Sequence, residues 1–300
     1  MTFDNPHNPQ AATPTARPQR AGRTSPRTFW TVYTLSLRQH RHGKRWMIMT
    51  LLLILPVLLA VLTRWTDPAV PGRVLEFNLA FMFIPQGLLP LIALVYASGM
   101  IQDEQEEQTI TYLLIRPIGK GAIYYAKLLA ALTVAVLLVV VFTALTYAAI
   151  YIGRTHDADV LARCMIACVI HSGAVIAYCC LFGLLGLLTR RVLIAGIIYI
   201  ALVEGLLANM PFAIRLITVI YYTRLLAYRF LSFVVPTPVG SQNLAADTWQ
   251  LNITNDPALR NYPHTWACIT ILLVGSLSCA LLAAFLCSRR EFYVKTPEKT

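Results

Sequence analysis

Long apolar runs recur along the chain, separated by short polar segments. A helix of about 20 apolar residues crosses the hydrocarbon core of a bilayer. Five runs hold at least 18 residues without Asp, Glu, Lys or Arg, and a sixth, over 192–214, is broken only by Glu204. The pattern therefore predicts an all-α polytopic membrane protein. The six transmembrane helices are predicted at about 46–63, 77–100, 122–152, 161–188, 192–210 and 264–287.

Two segments of the pattern are irregular. Pro85 and Pro90 fall inside the second span and predict a kinked helix there. Residues 211–236 are apolar enough to suggest a seventh span, but Arg224 would then lie near mid-membrane, at a cost of about 2.5–3.5 kcal/mol. We therefore expect 211–262 to form an outer loop with short surface or re-entrant helices.

The composition agrees with a membrane protein and the charges orient it. Only 13% of the 300 residues are charged, against roughly 25% in soluble domains. The net charge is +11, and eight Lys or Arg residues precede the first span while four follow the last. The positive-inside rule then predicts that both termini lie in the cytoplasm. We also expect a multi-pass protein of the plasma (inner) membrane. This distribution argues against nucleic acid as a partner.

The N-terminal part divides into a tail and a helix. Residues 1–27 are polar, basic and rich in proline, which predicts a disordered cytoplasmic tail, and 291–300 is a second cytoplasmic tail. Within Thr28–Arg45 the aromatic and aliphatic side chains recur at helical spacing, which predicts an amphipathic elbow helix lying on membrane lipid and turning near Gly43. The residues of this apolar face are Phe29, Trp30, Tyr33 and Leu37.

An acidic segment lies between the second and third spans. Asp103, Glu104, Glu106 and Glu107 are four of only 14 acidic residues in the chain. Anionic lipid headgroups repel carboxylates, so the segment suits a docking surface for another protein better than a lipid anchor. Ile110, Leu113 and Leu114 follow at i, i+3 and i+4 and predict a short helix that ends at Pro117. A solvated loop between two helices is the alternative.

This segment resembles the cytoplasmic segment after the second helix of ABC-type-2 exporter permeases. That family has a Glu-rich stretch, a Gly-Thr pair, leucines, and a proline followed by basic residues. This chain has Gln108 in place of the glycine, and Lys127 falls in the basic stretch. The matching positions are Glu104, Glu106, Thr109, Leu113, Leu114 and Pro117, and Arg116 belongs to the same predicted docking surface.

The resemblance extends in outline over 28–290, which it makes a transmembrane permease domain. It implies a transport subunit that pairs with a second permease copy or homologue and with cytoplasmic ATP-binding-cassette ATPases. These would grip the elbow helix and the acidic segment. No Gly-x-x-x-x-Gly-Lys-Ser/Thr motif occurs in the chain. We therefore expect no cofactor in this chain, ATP being bound by the partner, and no enzyme activity of its own.

Ionisable groups within the spans define the alternatives. Glu204 and His171 are costly to bury, so they are candidates for a proton relay in a gradient-driven transporter. Glu204 pairing with Arg215 or another outer-face arginine is the structural alternative. Cys164, Cys168 and His171 share a helix face, which fits either a soft-metal site or simple packing. A membrane scaffold without transport activity is a third class, and the substrate is not readable.

Overall fold

The structure is a computed structural model that describes residues 26–42, 44–106, 119–153, 159–189, 191–210, 213–237, 240–249 and 264–289. In chain order the helices are α1 (Pro26–His42), α2 (Lys44–Thr66), α3 (Gly72–Leu75, Glu76–Leu88 and Leu89–Glu106 in succession), α4 (Lys120–Tyr151), α5 (Val160–Leu188), α6 (Val192–Tyr199, Ile200–Leu206 and Leu207–Asn209 in succession), α7 (Val219–Phe230), α8 (Leu244–Trp249) and α9 (Thr265–Arg289).

Six of these helices are long and apolar enough to cross a bilayer, namely α2, α3, α4, α5, α6 and α9. The prediction of an all-α, six-span protein is confirmed. Each helix covers one of the predicted spans, and most extend them by a few residues. The largest extension is in α3, which begins at Gly72 rather than near Phe77 and continues to Glu106.

The bundle is built around α5, which packs against α3, α4 and α9. Two buried clusters lie along it. One cluster includes Tyr96, Tyr124 and Tyr178 and lies towards the end of the bundle where α3 ends at Glu106, here named the acidic end. The other includes Phe77, Phe233 and Trp249 and lies towards the opposite end of the bundle. That end, where residues 234–243 form a β-hairpin, is here named the hairpin end.

The irregularity predicted from the prolines of the second span takes the form of π-helical turns. Residues Glu76–Leu88 have π-helical hydrogen bonding, and the amide of Leu89 donates to the carbonyl of Ile84, five residues back. Pro85 lies inside this stretch and has no amide to donate. A second π-helical segment, Ile200–Leu206, lies in α6. Such wide turns are rare and are frequent at functional sites.

The chain between α6 and α9 forms short elements at the hairpin end. A 3₁₀ turn, Ala213–Ile217, leads into α7, which has 12 residues and is therefore about 18 Å long, too short to cross a bilayer. Strands β1 (Val234–Thr237) and β2 (Gly240–Asn243) pair antiparallel and lead into α8. No seventh span exists in the described part of this region.

The N-terminal helix α1 packs along α4 and reaches α3. Val32 is buried against Ala126, and Phe29 and Tyr33 are partly buried beside them. Trp30, predicted on the same face, is instead 57% exposed. It lies 100° around the helix from Phe29, whereas Phe29 and Tyr33 are four residues apart and face the bundle together. Gly43 lies outside the described residues.

Candidate functional site

The predicted docking segment is described in its first part only. Asp103, Glu104 and Glu106 lie on the last turns of α3, so the segment begins as a direct continuation of a membrane-spanning helix. The remaining residues of the predicted surface lie outside the described residues. They are Glu107, Thr109, Leu113, Leu114, Arg116 and Pro117.

A buried lysine joins the acidic end of α3 to α4. The ammonium of Lys127 donates to the backbone carbonyl of Met100 at 3.0 Å, and Lys127 is only 6% exposed. Met100 is close to the point where the acidic residues begin. Lys127 therefore fixes the position of α3 against α4 immediately before the acidic segment.

Helix α1 packs beside this junction. The Tyr33 hydroxyl lies 3.2 Å from the Thr133 hydroxyl of α4, and the ring of His40 lies 5.6 Å from that of Tyr96 in α3. Helix α1 thus contacts both helices that flank the acidic segment. A displacement of α3 at this end would be transmitted to α1 through these contacts.

The hairpin end contains a buried ionic network that the sequence did not reveal. Glu76, at the first residue of the π-helical stretch of α3, is fully buried. The hydroxyls of Tyr147 and Tyr151 donate to its two oxygens at 2.7 and 2.8 Å. The guanidinium of Arg163 binds both oxygens, with Nε at 3.1 and 3.0 Å and Nη2 at 3.0 Å. One carboxylate therefore fastens α3 to α4 and α5.

Aromatic rings cover this network. The ring centroid of Phe233 lies 5.7 Å from the Arg163 guanidinium carbon and 5.3 Å from the ring of Phe77. Trp249 of α8 packs 5.0 Å from Phe77 and donates its indole N–H to the sulfur of Met82 at 3.0 Å. The hairpin and α8 therefore seal the hairpin end of α3 from solvent.

The carboxylate of Glu204, a residue of α6, lies against the first turn of α7. Its carboxylate accepts hydrogen bonds from the backbone amides of Val219 and Ile220, both at 3.1 Å, and from the Tyr199 hydroxyl at 3.0 Å. A carboxylate at this position satisfies free first-turn amides and complements the helix dipole. Arg215, one of the arginines considered as a partner, lies over the ring of Tyr221, with its guanidinium carbon 5.4 Å from the centroid.

Arg224 is buried in α7 one turn further on. Its guanidinium donates to two neutral amides, Asn209 at 2.9 Å and Gln86 at 3.3 Å. Burial lowers the pKa of Arg224, and the Glu204 carboxylate opposes that shift. An arginine remains protonated under such conditions. The charge therefore lies in a short helix tied to both α3 and α6, rather than in a seventh span.

His171 is fully buried and has its own partners. Its Nδ1 lies 3.1 Å from the Thr143 hydroxyl, and its ring packs 5.2 Å from Phe81. The Sγ of Cys168 donates to the carbonyl of Val140 at 3.8 Å. In the described ranges no three His, Cys, Asp or Glu side chains are grouped as metal ligands would be. Cys164 is partly buried against the cluster at the hairpin end, and Cys168 and His171 contact α3 and α4.

Helix α3 also presents polar side chains on an uncovered face. A groove of about 390 Å³ runs along it, here named the α3 groove. Asn78 is exposed, and Gln86, which holds Arg224, is half-buried. The described residues that line it are Asn78, Met82, Phe83, Gln86, Gly87 and Leu88.

Six helices long and apolar enough to cross a bilayer define a polytopic membrane protein. The ABC-2 family transporter protein model matches residues 37–208, more than half of the chain, and the chain belongs to this family. Among curated proteins no match is found.

Sequence reasoning missed Glu76 and Arg163 because each stands at the edge of an uncharged run, where a charged side chain normally reaches headgroups or water. One signal was available. Tyr147 and Tyr151 are four residues apart near the same end of the third span, so both hydroxyls face one way.

Proposed function

We propose that this chain is the permease subunit of an ATP-driven exporter in the plasma membrane, with ATP hydrolysed by a separate cytoplasmic ATPase. The observation that carries the proposal is the continuity of α3. The same helix crosses the membrane and carries Asp103, Glu104 and Glu106 beyond it. A partner that moves those residues moves the spanning helix with them, because a helix transmits a push that a flexible loop absorbs.

The contacts around the acidic end support this mechanism. Lys127 fixes α3 to α4, and α1 contacts α4 through Tyr33 and α3 through His40. The force would therefore reach three helices rather than one. In this proposal both termini and the acidic segment lie in the cytoplasm, where the ATPase is available.

A second permease copy is the other partner in the proposal. An exposed amide facing lipid is costly, because hydrocarbon offers it no hydrogen-bond partner. Asn78 is exposed on a spanning helix, beside Gln86 in the α3 groove. A second copy that covers this groove would bury the exposed Asn78 amide between two α3 helices.

Charge reversal at the acidic segment tests the proposal. Glu104, Glu106 and Glu107 are changed together to lysine, and copurification of an ATP-binding-cassette ATPase and transport-coupled ATP hydrolysis are measured. We expect both to fall at least about tenfold, since three attractive contacts of roughly 0.5 kcal/mol or more become repulsive. Membrane insertion should be unchanged.

The matched control changes three carboxylates away from this segment, Asp67, Asp159 and Asp247, to lysine. All three are exposed near the hairpin end. Equal coupling in the two triple variants would contradict docking at the acidic segment. A chain that never copurifies with an ATPase would favour the scaffold alternative.

The gradient-driven alternative has weaker support. A proton relay through Glu204 and His171 needs a path between them. In the described structure Glu204 bonds to Tyr199, Val219 and Ile220. His171 contacts Thr143 and Phe81 instead, and the two sets share no residue.

A further inference from the structure

Arg224 is a buried cation without a paired carboxylate. It is only 6% exposed, and among the described residues no carboxylate forms an ion pair with it. Glu204 acts on this charge without pairing with it, and the Glu204 oxygens are bound by Tyr199 and by two backbone amides of α7. Arg224 bonds to Gln86, a residue of the spanning helix α3. An ionisable side chain at such a depth is costly to bury and therefore indicates a functional site.

One edge of the Arg224 guanidinium is incompletely bound. A guanidinium presents two parallel N–H groups, Nε and Nη2, to a carboxylate. In Arg224 the Nη2 donates to the amide oxygen of Gln86 at 3.3 Å, which is long for an N–H···O bond. The buried Nε has no hydrogen-bond partner within the described ranges. Nη1, at the other side of the guanidinium, donates to Asn209 at 2.9 Å.

The Glu76–Arg163 pair shows what this edge binds when a carboxylate is present. In Arg163 the Nε lies 3.1 and 3.0 Å from the two oxygens of Glu76, and Nη2 lies 3.0 Å from one of them. Arg224 has a single neutral oxygen at the edge where Arg163 has two charged ones. The edge therefore offers the donors of a carboxylate site, and the amide oxygen of Gln86 is a weaker acceptor for them.

Two contacts place this edge at the wall of the α3 groove. Gln86, which accepts from Arg224, lines the groove, and so does Met82. Trp249 donates to the sulfur of Met82, and its ring centroid lies 6.0 Å from the guanidinium carbon of Arg224. Arg224 thus lies directly behind Gln86. Since the Gln86 side chain is half-buried, its rotation would give a ligand in the groove access to the guanidinium.

The rest of the groove suits an apolar body. Met82, Phe83 and Leu88 line it, and a Cβ at Gly87 would meet nothing within 4 Å, so the groove is open beside Gln86. The volume of about 390 Å³ falls within the roughly 300–1,000 Å³ of small-molecule sites. The groove and the cation behind it therefore fit a molecule with an apolar body and one anionic head.

We propose that the α3 groove binds an amphipathic carboxylate. The carboxylate takes the place of the Gln86 amide oxygen at the Nε and Nη2 of Arg224, and the apolar body lies along Met82, Phe83 and Leu88. One chain supplies the whole site. That this ligand is the exported cargo rests on the proposed function, whereas its binding does not.

The test uses the full chain in nanodiscs and three photoreactive probes. The probes share one diazirine-labelled alkyl chain and end in a carboxylate, an alcohol or an amine. Labelling is measured at about pH 8.5, well above the ordinary pKa of a carboxyl group. We expect the carboxylate to label peptides that contain Met82 and Phe83 about tenfold more than the alcohol does, as for a hydrogen bond between charged groups. The amine should label them least.

A matched pair of variants in α7 tests the role of Arg224. Arg224→Gln should abolish the preference for the carboxylate over the alcohol. Arg229→Gln removes the same charge from the same helix, at a residue that donates to Thr265 of α9, and should leave the preference unchanged.

Variants of Gln86 keep Arg224 and test the site even if Arg224→Gln does not fold. In Gln86→Glu the new carboxylate binds Arg224. Labelling by the carboxylate probe should then fall to that of the alcohol, while the melting temperature rises. Gln86→Leu removes the competing amide without adding a charge and should retain or increase the preference.

Equal labelling by the carboxylate and the alcohol in the unmodified protein would overturn the proposal. So would a carboxylate preference that survives in Arg224→Gln or Gln86→Glu, and so would a preference for the amine. An alkyl phosphate that labels the groove more strongly than the carboxylate would overturn the choice of head group. The measurement needs no ATPase, so its failure and a failure of the proposed transport function are distinguishable.

Discussion

At the level of single residues, both buried carboxylates of the described chain are held by donors from other elements. Glu76 of α3 is bound by Tyr147, Tyr151 and Arg163, and Glu204 of α6 is bound by amides of α7. A charge in such a place is tolerated only because every lone pair that faces the interior has a donor. The two carboxylates therefore join helices that the apolar contacts alone would leave free to slide.

The first prediction concerns the Glu76–Arg163 pair. We expect Glu76→Gln to lower the melting temperature of the full chain in detergent, with a loss of about 3–5 kcal/mol, because the Arg163 charge is left buried without its counter-ion. Arg163→Gln should do the same for Glu76. The double variant should be more stable than either single variant, since no unpaired charge remains.

Asp67→Asn serves as the control for this experiment. It removes the same charge from an exposed position near the same end of the bundle and should leave the melting temperature within error. If the two single losses simply added in the double variant, the network would not be a coupled pair.

For single residues, the sequence indicated that Glu204 is costly to bury but did not predict the partners of the buried charges. Glu204 was recognised as costly to bury, but two of its donors are backbone amides of a helix 15 and 16 residues further on. Amides carry no sequence signal. The role of Arg163 could not be predicted for another reason. Its partner, Glu76, is 87 residues away, and each of the two residues lies at the end of an uncharged run.

At the level of elements, each π-helical segment carries one of these carboxylates. Glu76 begins the segment in α3, and Glu204 lies within the segment in α6. A π turn re-aims the side chains that follow it, since it inserts a residue into the helical repeat. The wide turns therefore set the direction of each carboxylate relative to the rest of its helix. Hydrophobic runs predicted where the helices are, but not this local winding.

The second prediction concerns the cap of α7. Glu204→Leu removes the acceptor for two first-turn amides, so α7 should fray at its start. Hydrogen exchange measured by mass spectrometry should rise in peptides that cover Val219 and Ile220. Glu204→Gln keeps one acceptor oxygen and should give a smaller rise.

Exchange in α5 peptides is the internal control, since α5 does not depend on this cap. A rise of equal size throughout the bundle would mean that Glu204 stabilises the whole fold and has no specific role in α7. No change in α7 would mean that its first turn is held by other contacts.

At the level of the whole molecule, the spans leave two surfaces of different character. A groove between α4, α5 and α9 is lined by apolar side chains, whereas the mainly apolar α3 groove also carries the exposed Asn78. Six spans and their order followed from the sequence because apolar length is a strong signal. Which face of each helix is covered did not, because helices that are apolar all round show no periodic stripe.

The third prediction concerns the second copy of this chain. A photoreactive phenylalanine analogue is placed at Phe83, which is 37% exposed in the α3 groove, or at Phe285, which is 50% exposed on α9. We expect chain-to-chain cross-links from position 83 only, because a second copy on the α3 groove would cover the exposed Asn78 amide, to which hydrocarbon offers no hydrogen-bond partner. The yield is read as a dimer band on a denaturing gel.

Equal dimer yields from the two positions would contradict an interface at the α3 groove. Cross-links from position 83 to lipid alone would contradict a second copy at this face altogether. The position 285 variant also controls for the general effect of the analogue on expression.

Helix α3 connects the two ends of the molecule. Its segment Gly72–Met100 alone has 29 residues, about 44 Å of helix against a hydrocarbon core of about 30 Å. One rod therefore has Glu76 near one end and Glu106 at the other. Thermodynamic linkage is reciprocal. If a ligand bound beyond Glu106 changes the affinity for a second ligand near Glu76 by some factor, the second ligand changes the affinity for the first by the same factor. Cargo binding would then change the nucleotide affinity by the same factor by which nucleotide binding changes the cargo affinity.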